Sequence, residues 1–458
     1  MPPDSPTTPR PLTLAGVGAT WWPLAGSWLL MGLELPAISA VMARLPHATV
    51  SLAAYGGVVF PMALLIESPI LMLLSASTAL ARDEHSYRLV RRFMFVAAGL
   101  LTLLHAAIAF TPLFDFVVGT LIGVPEPVRE PARVGLRILL PWTLSIAYRR
   151  TQQGVLIRFG HARAVTWGTM VRLGTNVLVL ALGAWLGTLP GIVVGTSAVA
   201  CGVMAEAAYA GLTVRHVLRT HVLGQVSDGP PLTMLAFLRF YTPLMLTPLI
   251  NFLAMPLAAA AMSRMPNALE SLAAWPVLSG ITFTLRSTGF ALNEVVVAQM
   301  DRWRPVPALR RFTLVLSIVT TLALLAIAAT PLAVWWFARV SALSPGLASL
   351  AAGALWVMVP MPAISAWQSW YQGALVHSRR TRGVTESVLV LLFVTACVLV
   401  VGVAWNVVPG LYVAAAGMVI GGAAQIVWLA WRSRDEIAAV VARDGDAAVA
   451  GSHELPPR

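Results

Sequence analysis

The chain has 458 residues; 58% are hydrophobic, only 11% are charged, and the mean hydropathy is +0.78. A water-soluble domain carries roughly 25% charged residues, so a soluble enzyme, a disordered chain and a fibrous chain are excluded, and an integral membrane protein remains. The net charge is +12 and all 31 basic residues are Arg; set in short clusters between apolar runs, this is the loop bias of a polytopic membrane protein and not the footprint of a nucleic-acid binder.

Residues 1–17 form a polar, Pro-rich tail without the pattern of a cleaved signal peptide. Twelve mostly apolar stretches follow, each long enough to cross a bilayer. They are spans 1 to 12 at 18–42, 51–80, 91–113, 135–158, 164–187, 190–213, 234–262, 271–300, 310–337, 347–375, 384–406 and 411–432. The predicted fold class is thus an all-α polytopic membrane protein of two six-helix lobes. Residues 18–213 make the N-lobe, 214–233 a linker, 234–432 the C-lobe, and 433–458 a short polar tail read as a frayed helix end.

The connections after the even-numbered spans carry fifteen Arg, including Arg82, Arg91, Arg92, Arg158, Arg302, Arg310, Arg379 and Arg382; those after the odd-numbered spans carry five, Arg44, Arg129, Arg133, Arg264 and Arg339. This asymmetry places both termini in the cytoplasm and the protein in the inner membrane. Cys201 and Cys397 fall within spans and read as small buried hydrophobes.

The two halves are copies. Pro36, Met42, Arg44, Pro46 and Ser51 recur 220 residues later as Pro256, Met262, Arg264, Pro266 and Ser271. One residue is then lost, and at an offset of 219 Arg91, Thr111, Pro141, Gly154 and Pro190 recur as Arg310, Thr330, Pro360, Gly373 and Pro409. A register held from span 1 to span 12 is a repeat signature. Six spans per copy give both copies the same orientation, related by a pseudo-two-fold along the membrane normal, which suits alternating access around a midplane site.

Ionisable groups deep in a membrane mark cavities, ion paths or salt bridges. The deep set is Glu34, Glu67, Arg149, Arg150, Arg172 and Arg286, with Glu206, Arg239 and Glu294 nearer the span ends. Arg149, Arg150 and Arg172 outnumber their local acids, and their copies are Gln368, Ser369 and Leu391, so the fold does not demand these charges. Unneutralised guanidiniums suit a phosphate or carboxylate ligand; snorkelling to headgroups is the alternative. At an offset of 219 Glu67 matches Arg286, an interlobe pair that gates or merely braces; at 220 it matches Ser287. Asn251 on span 7 is a candidate polar contact, and His105 reads as packed. Arg149, Arg150, Arg172, Arg286 and Asn251 are therefore the candidate substrate residues, with Glu34, Glu67 and Glu294 for coupling or gating. The Trp residues, Trp21 and Trp22 among them, read mostly as interfacial belt, and Gly154 and Gly373 as points of close helix approach. The sequence contains no Walker motif, catalytic triad, metal-ligand cluster or cofactor motif.

Twelve spans, two same-orientation repeats and the segments Leu52 to Gly56, Glu67-Ser68-Pro69, Gln153 to Leu156, Ala274 to Val277 and Gly410 to Gly422 resemble the multidrug/oligosaccharidyl-lipid/polysaccharide (MOP) exporter superfamily. Within it the resemblance is to the multidrug and toxic compound extrusion (MATE) proteins, and nearest to the progressive ankylosis (ANKH) type. That resemblance implies a V-shaped, monomeric transporter, and for the latter type export of polyvalent anions such as pyrophosphate, nucleotides and citrate, with a proton or cation as coupling partner and membrane lipid around it. Span 7 lacks the acid that MATE pumps commonly use there. The leading expectation is a secondary exporter of such an anion. A flippase for an anionic lipid-linked saccharide, which needs a lateral opening between spans 1 and 8, a multidrug cation antiporter and a non-transporting scaffold are its rivals.

Overall fold

The computed structural model describes residues 11–225, 231–378, 380 and 382–453, with side chains to 444; Arg379 and the outer ends of both predicted tails lie outside the described residues. Span 1 runs Leu14–Met42, span 2 Ala48–Leu80, span 3 Glu84–Phe110, span 5 Ala162–Leu186 and span 6 Gly191–His221. In the second lobe, span 7 is Met234–Met262, span 8 Ala268–Gln299, span 9 Pro305–Ala329, span 10 Pro345–His377, span 11 Arg382–Trp405 and span 12 Gly410–Asp444. These eleven are long and apolar enough to cross a membrane. Span 4 consists of two helices, Glu126–Ile138 and Leu140–Arg158. It is the most charged of the twelve, because Arg129, Arg133, Arg137, Arg149, Arg150 and Arg158 all lie on it. Its outer arginines are matched locally: Arg133 meets Asp115 at 2.8 Å and the Arg137 Nε donates to the Ala109 carbonyl at 3.2 Å.

Three expectations need correction. The predicted frayed end is a helix that continues unbroken to His453. Its Ile437 and Val440 pack on the apolar cluster of Leu292, Val296 and Trp370, and Arg443 Nη2 donates to the carbonyls of Met300 and Arg302 at 3.3 and 3.2 Å. The first helix reaches the same turn, with the Leu12 N–H donating to the Trp303 carbonyl at 3.0 Å. Both ends of the chain therefore meet at one face, here called the terminus face. Cys201 and Cys397 lie on exposed helix faces and are not core residues. Trp21 is no simple belt residue either: its indole N–H donates to the Thr288 carbonyl at 2.9 Å.

The repeat survives in atomic detail. His47 and Asn267 both take the left-handed conformation, at φ 57° and 55°, to turn the chain into spans 2 and 8, a region that His and Asn tolerate better than most residues. Gly191 N–H donates to Pro46 O at 3.2 Å, and Gly410 N–H to Pro266 O at 3.3 Å. A Cβ on Gly154 would stand 2.5 Å from the Leu74 carbonyl, and one on Gly373 would stand 2.7 Å from Val296 Cβ, so both glycines set close packing of span 4 on span 2 and of span 10 on span 8. The one-residue difference between the copies also has a location. Span 2 contains a π-helical turn at Tyr55–Val59, whereas span 8 is α-helical throughout. A π-bulge absorbs a single extra residue within one turn. Beyond it the offset is 219: Ser68 and Ser287 each donate to the carbonyl three residues back, at 2.7 Å. Glu67 is therefore the counterpart of Arg286.

Span 1 bends at Leu33, between the helices Leu14–Gly32 and Glu34–Met42. Pro36 has no N–H for the Gly32 carbonyl; the Thr284 hydroxyl of span 8 donates to it instead at 3.0 Å. Spans 1 and 8 are tightly seamed, since a Cβ on Gly32 would meet Thr284 Cα at 3.1 Å and one on Gly280 would meet Pro36 at 3.1 Å. On the terminus side the same seam holds Trp28 against Phe290 and Gln299 on Thr20 at 2.7 Å. Span 7 is seamed to the other lobe in the mirrored way: Tyr241 donates to Pro69 O at 2.5 Å and Phe237 packs on Phe93.

The face opposite the termini carries two reciprocal clamps. Arg44 Nη2 reaches across to Arg339 O at 2.7 Å. Its copy Arg264 reaches across to the carbonyls of Ile122, Leu121 and Thr120 at 2.7, 2.6 and 3.2 Å. Each guanidinium caps the carbonyl end of a short π-helix in the other lobe, where a cation is favoured. Toward the terminus face, among the described residues, no hydrogen bond or ion pair joins span 2 beyond Phe60 to span 8. The two arginines thus clamp the lobes at the opposite face, while toward the termini the lobes are joined by the seams of span 1 on span 8 and of span 7 on spans 2 and 3. Replacing Arg44 and Arg264 together by Ala should loosen the clamped face. Charge-assisted bonds are worth about 1.5–3 kcal/mol each, so spin-label distances between residues 121 and 344, exposed positions in opposite lobes, should broaden to a second, longer population in the double variant and stay single in the wild type.

Candidate functional site

The buried charges of the N-lobe form one connected network. Glu206 of span 6, completely buried, receives Arg149 of span 4 at 2.7 Å on one carboxylate oxygen and faces Arg172 Nε of span 5 at 3.3 Å on the other. Gln153 Nε2 donates to the same Glu206 at 2.9 Å. Arg172 continues to Glu34 of span 1, with Nη1 2.8 Å from Oε2 and 3.0 Å from Oε1. Asn176 Nδ2 closes the chain on Glu34 at 2.6 Å. Four spans are therefore tied at one depth through two carboxylates and two guanidiniums.

This overturns the expectation that the cluster is unneutralised. Arg149 and Arg172 are both paired, and the acid that pairs them, Glu206, was placed near a span end and left out of the deep set. Burial explains the arrangement: an unpaired ion inside a membrane protein costs several kcal/mol, which a well-placed counter-ion offsets.

Arg150 stands apart. It makes no ion pair or hydrogen bond among the described residues, its Nε is buried without a partner, and the carboxylates whose charge it feels are Glu67 and Glu206. Glu67 is buried and accepts the indole N–H of Trp142. Arg149 and Arg150 lie near Glu67 but outside ion-pair distance. Counted together, the N-lobe holds Arg149, Arg150 and Arg172 against Glu34, Glu67 and Glu206. The hydroxyls of Ser39, Tyr55 and Thr143 in the same lobe are buried without a protein partner.

The C-lobe is the neutral twin. At an offset of 219, Arg149 and Glu206 become Gln368 and Gln425, and the pair persists as a hydrogen bond: Gln368 Nε2 donates to Gln425 Oε1 at 2.6 Å, and Gln425 Nε2 to Ser387 Oγ at 3.1 Å. Its one deep charge is Arg286, whose Nε donates to Ser365 Oγ at 2.7 Å and whose guanidinium lies over Phe290 at 5.5 Å. The anticipated Glu67–Arg286 pair is absent: each side chain is held within its own lobe. Asn251 is exposed and makes no hydrogen bond among the described residues, and Glu294, also exposed, lies near Trp28; neither joins the network. His105 is packed as expected, on the Leu136 carbonyl at 3.0 Å.

No protein-family model and no curated protein matches the chain. Solved structures do. An inward-facing multidrug resistance MATE family transporter of the MOP superfamily matches at TM-score 0.68 with 18% identity, over 91% of this chain and 98% of that one. The lipid II flippase MurJ in an inward closed conformation matches at 0.68 with 11% identity, over 95% and 94%. A MOP superfamily transporter from Pyrococcus furiosus, for which reversed polarity of the binding pocket suggests a different function, matches at 0.60 with 18% identity, over 94% and 99%. The fold is that of MATE transporters and MurJ. An outward-facing MATE family transporter matches at 0.58 with 18% identity, over 94% of this chain and 97% of that one.

Glu206→Gln should strand Arg149 and half of Arg172, at a cost of about 3 kcal/mol. Adding Arg149→Gln, which copies the Gln368–Gln425 pair of the twin lobe, should restore more than half of the lost thermal stability in detergent.

Proposed function

We propose that the protein is an alternating-access secondary transporter that moves a polyvalent organic or phosphorylated anion through the cleft between its lobes. One observation carries this: the two deep guanidiniums that lack a carboxylate partner, Arg150 and Arg286, lie one in each lobe. They share a depth, because Glu67, the neighbour of Arg150, is the counterpart of Arg286. A bidentate, unpaired guanidinium recognises carboxylate and phosphate oxygens. A cation would need a free acid there; Glu34 and Glu206 are spent on arginines, and the remaining acid, Glu67, lies near the guanidiniums of Arg149 and Arg150, which repel a cation. The sealed seam between spans 1 and 8 favours a soluble solute over a lipid-linked one, which needs a lateral portal. The arginine-rich terminus face is assigned to the cytoplasm. The resemblance to the progressive ankylosis type supports pyrophosphate, nucleotides and citrate as the first solutes to try.

Purified protein should melt several degrees higher with millimolar pyrophosphate, nucleotide or citrate, since a ligand that binds only the folded state stabilises it. Arg150→Ser, which copies the twin residue, and Arg286→Gln should each weaken that effect at least tenfold in ligand concentration. Stabilisation by cationic drugs alone would replace this reading with a multidrug one.

A further inference from the structure

Of the three deep N-lobe acids, Glu34 and Glu206 are bound to arginines. Glu67 has only a neutral donor, the indole N–H of Trp142. Its surroundings from each packed element are as follows. Span 4 presents Arg149, already on Glu206, and Arg150, which is free. Span 6 presents Glu206 itself, committed to Arg149 and Arg172. Span 7 presents Tyr241, whose hydroxyl is spent on the Pro69 carbonyl. Span 3 presents Tyr87, bonded to Gln152, and His105, bonded to the Leu136 carbonyl. Glu67 and Arg150 are thus the only two deep charges of this lobe left over when every close pair is formed.

That remainder has a consequence. With Glu67 ionised, the N-lobe charges sum to zero, and Arg150 is balanced by a carboxylate nearby. With Glu67 protonated, the lobe carries one net positive charge, seated on Arg150. We propose that Glu67 is the coupling site: it takes up one proton for each anion that docks on Arg150, so the loss of the carboxylate's charge frees the guanidinium for the anion and offsets one of the anion's charges. This rests on the anion reading given above and names its coupling ion. The carboxylic acid so formed still accepts the Trp142 N–H through its carbonyl oxygen, so the fold is undisturbed. The linkage is reciprocal: lower pH tightens anion binding, and anion binding draws in a proton. The C-lobe offers the contrast, since Arg286 occupies the position of Glu67 and a fixed cation there exchanges no proton with the anion.

The test is calorimetric titration of the intact protein in detergent with sulfate, whose own protons do not titrate near neutral pH. Repeating the titration in buffers of different ionisation enthalpy counts the protons. Wild type should take up close to one proton per sulfate while Glu67 is ionised, and affinity should rise up to about tenfold per unit fall in pH. Glu67→Gln should bind sulfate with no proton uptake and a flat pH profile, at the affinity the wild type reaches in acid. Its amide keeps the Trp142 bond, and Trp142→Phe, which leaves Glu67 in place, should retain proton uptake. Arg150-dependent sulfate binding without proton uptake would overturn the coupling and leave the anion transporter standing. Proton uptake that persists in Glu67→Gln would move the site elsewhere and equally overturn it. Sulfate binding that Arg150→Ser leaves unchanged would overturn both readings.

Discussion

A single buried carboxylate organises the N-lobe. Glu206 is the point at which spans 4, 5 and 6 meet as charges, and through Arg172 and Glu34 it also reaches span 1. In a medium that cannot solvate ions, two arginines at that depth are tolerable only because one acid serves both and a second relieves it. Removing Glu206 strands Arg149, and removing Arg172 leaves Glu34 with only the amide of Asn176. What it leaves unserved, Arg150 and Glu67, is correspondingly free to answer to a ligand.

The second lobe shows what the architecture needs without chemistry. The same two positions on spans 10 and 12 are joined by Gln368 and Gln425. The geometry of the helix pair is preserved while its charge is gone. The charged version is therefore an addition to a working scaffold, confined to one lobe. Such asymmetry within a duplicated fold gathers the paired charges in one half and leaves the other with Arg286 as its one deep charge among the described residues.

Much of this was legible in the residues. Length and apolarity gave twelve spans, the arginine bias gave their alternation, and the recurrence of Arg44, Pro46 and Gly154 as Arg264, Pro266 and Gly373 gave the two lobes. The deep arginines were recognised one by one, but their partners were not. Pairing is a three-dimensional fact: Glu206 sits on a span 57 residues beyond Arg149, and nothing in its local sequence signals that it turns inward. One clue was available, since Glu206 and Arg149 both become Gln 219 residues later, a paired replacement that only contact explains. Likewise the missing residue could be bracketed in sequence but not located, because a π-turn looks like any apolar stretch. The length of span 12 was underestimated for a related reason: its last turns are polar on one side and packed on the other.

The ends of the chain converge on one turn. Leu12 bonds to Trp303, and Arg443 to Met300 and Arg302, so the beginning of the first lobe and the end of the second both rest on the connection between spans 8 and 9. The start of span 1 and the extension of span 12 are neighbours in space. The order of the lobes along the polypeptide is then a matter of genetic history more than of folding. A chain permuted so that a connector runs from the end of span 12 to the start of span 1, and opened between spans 6 and 7, would keep these contacts with the neutral lobe synthesised first.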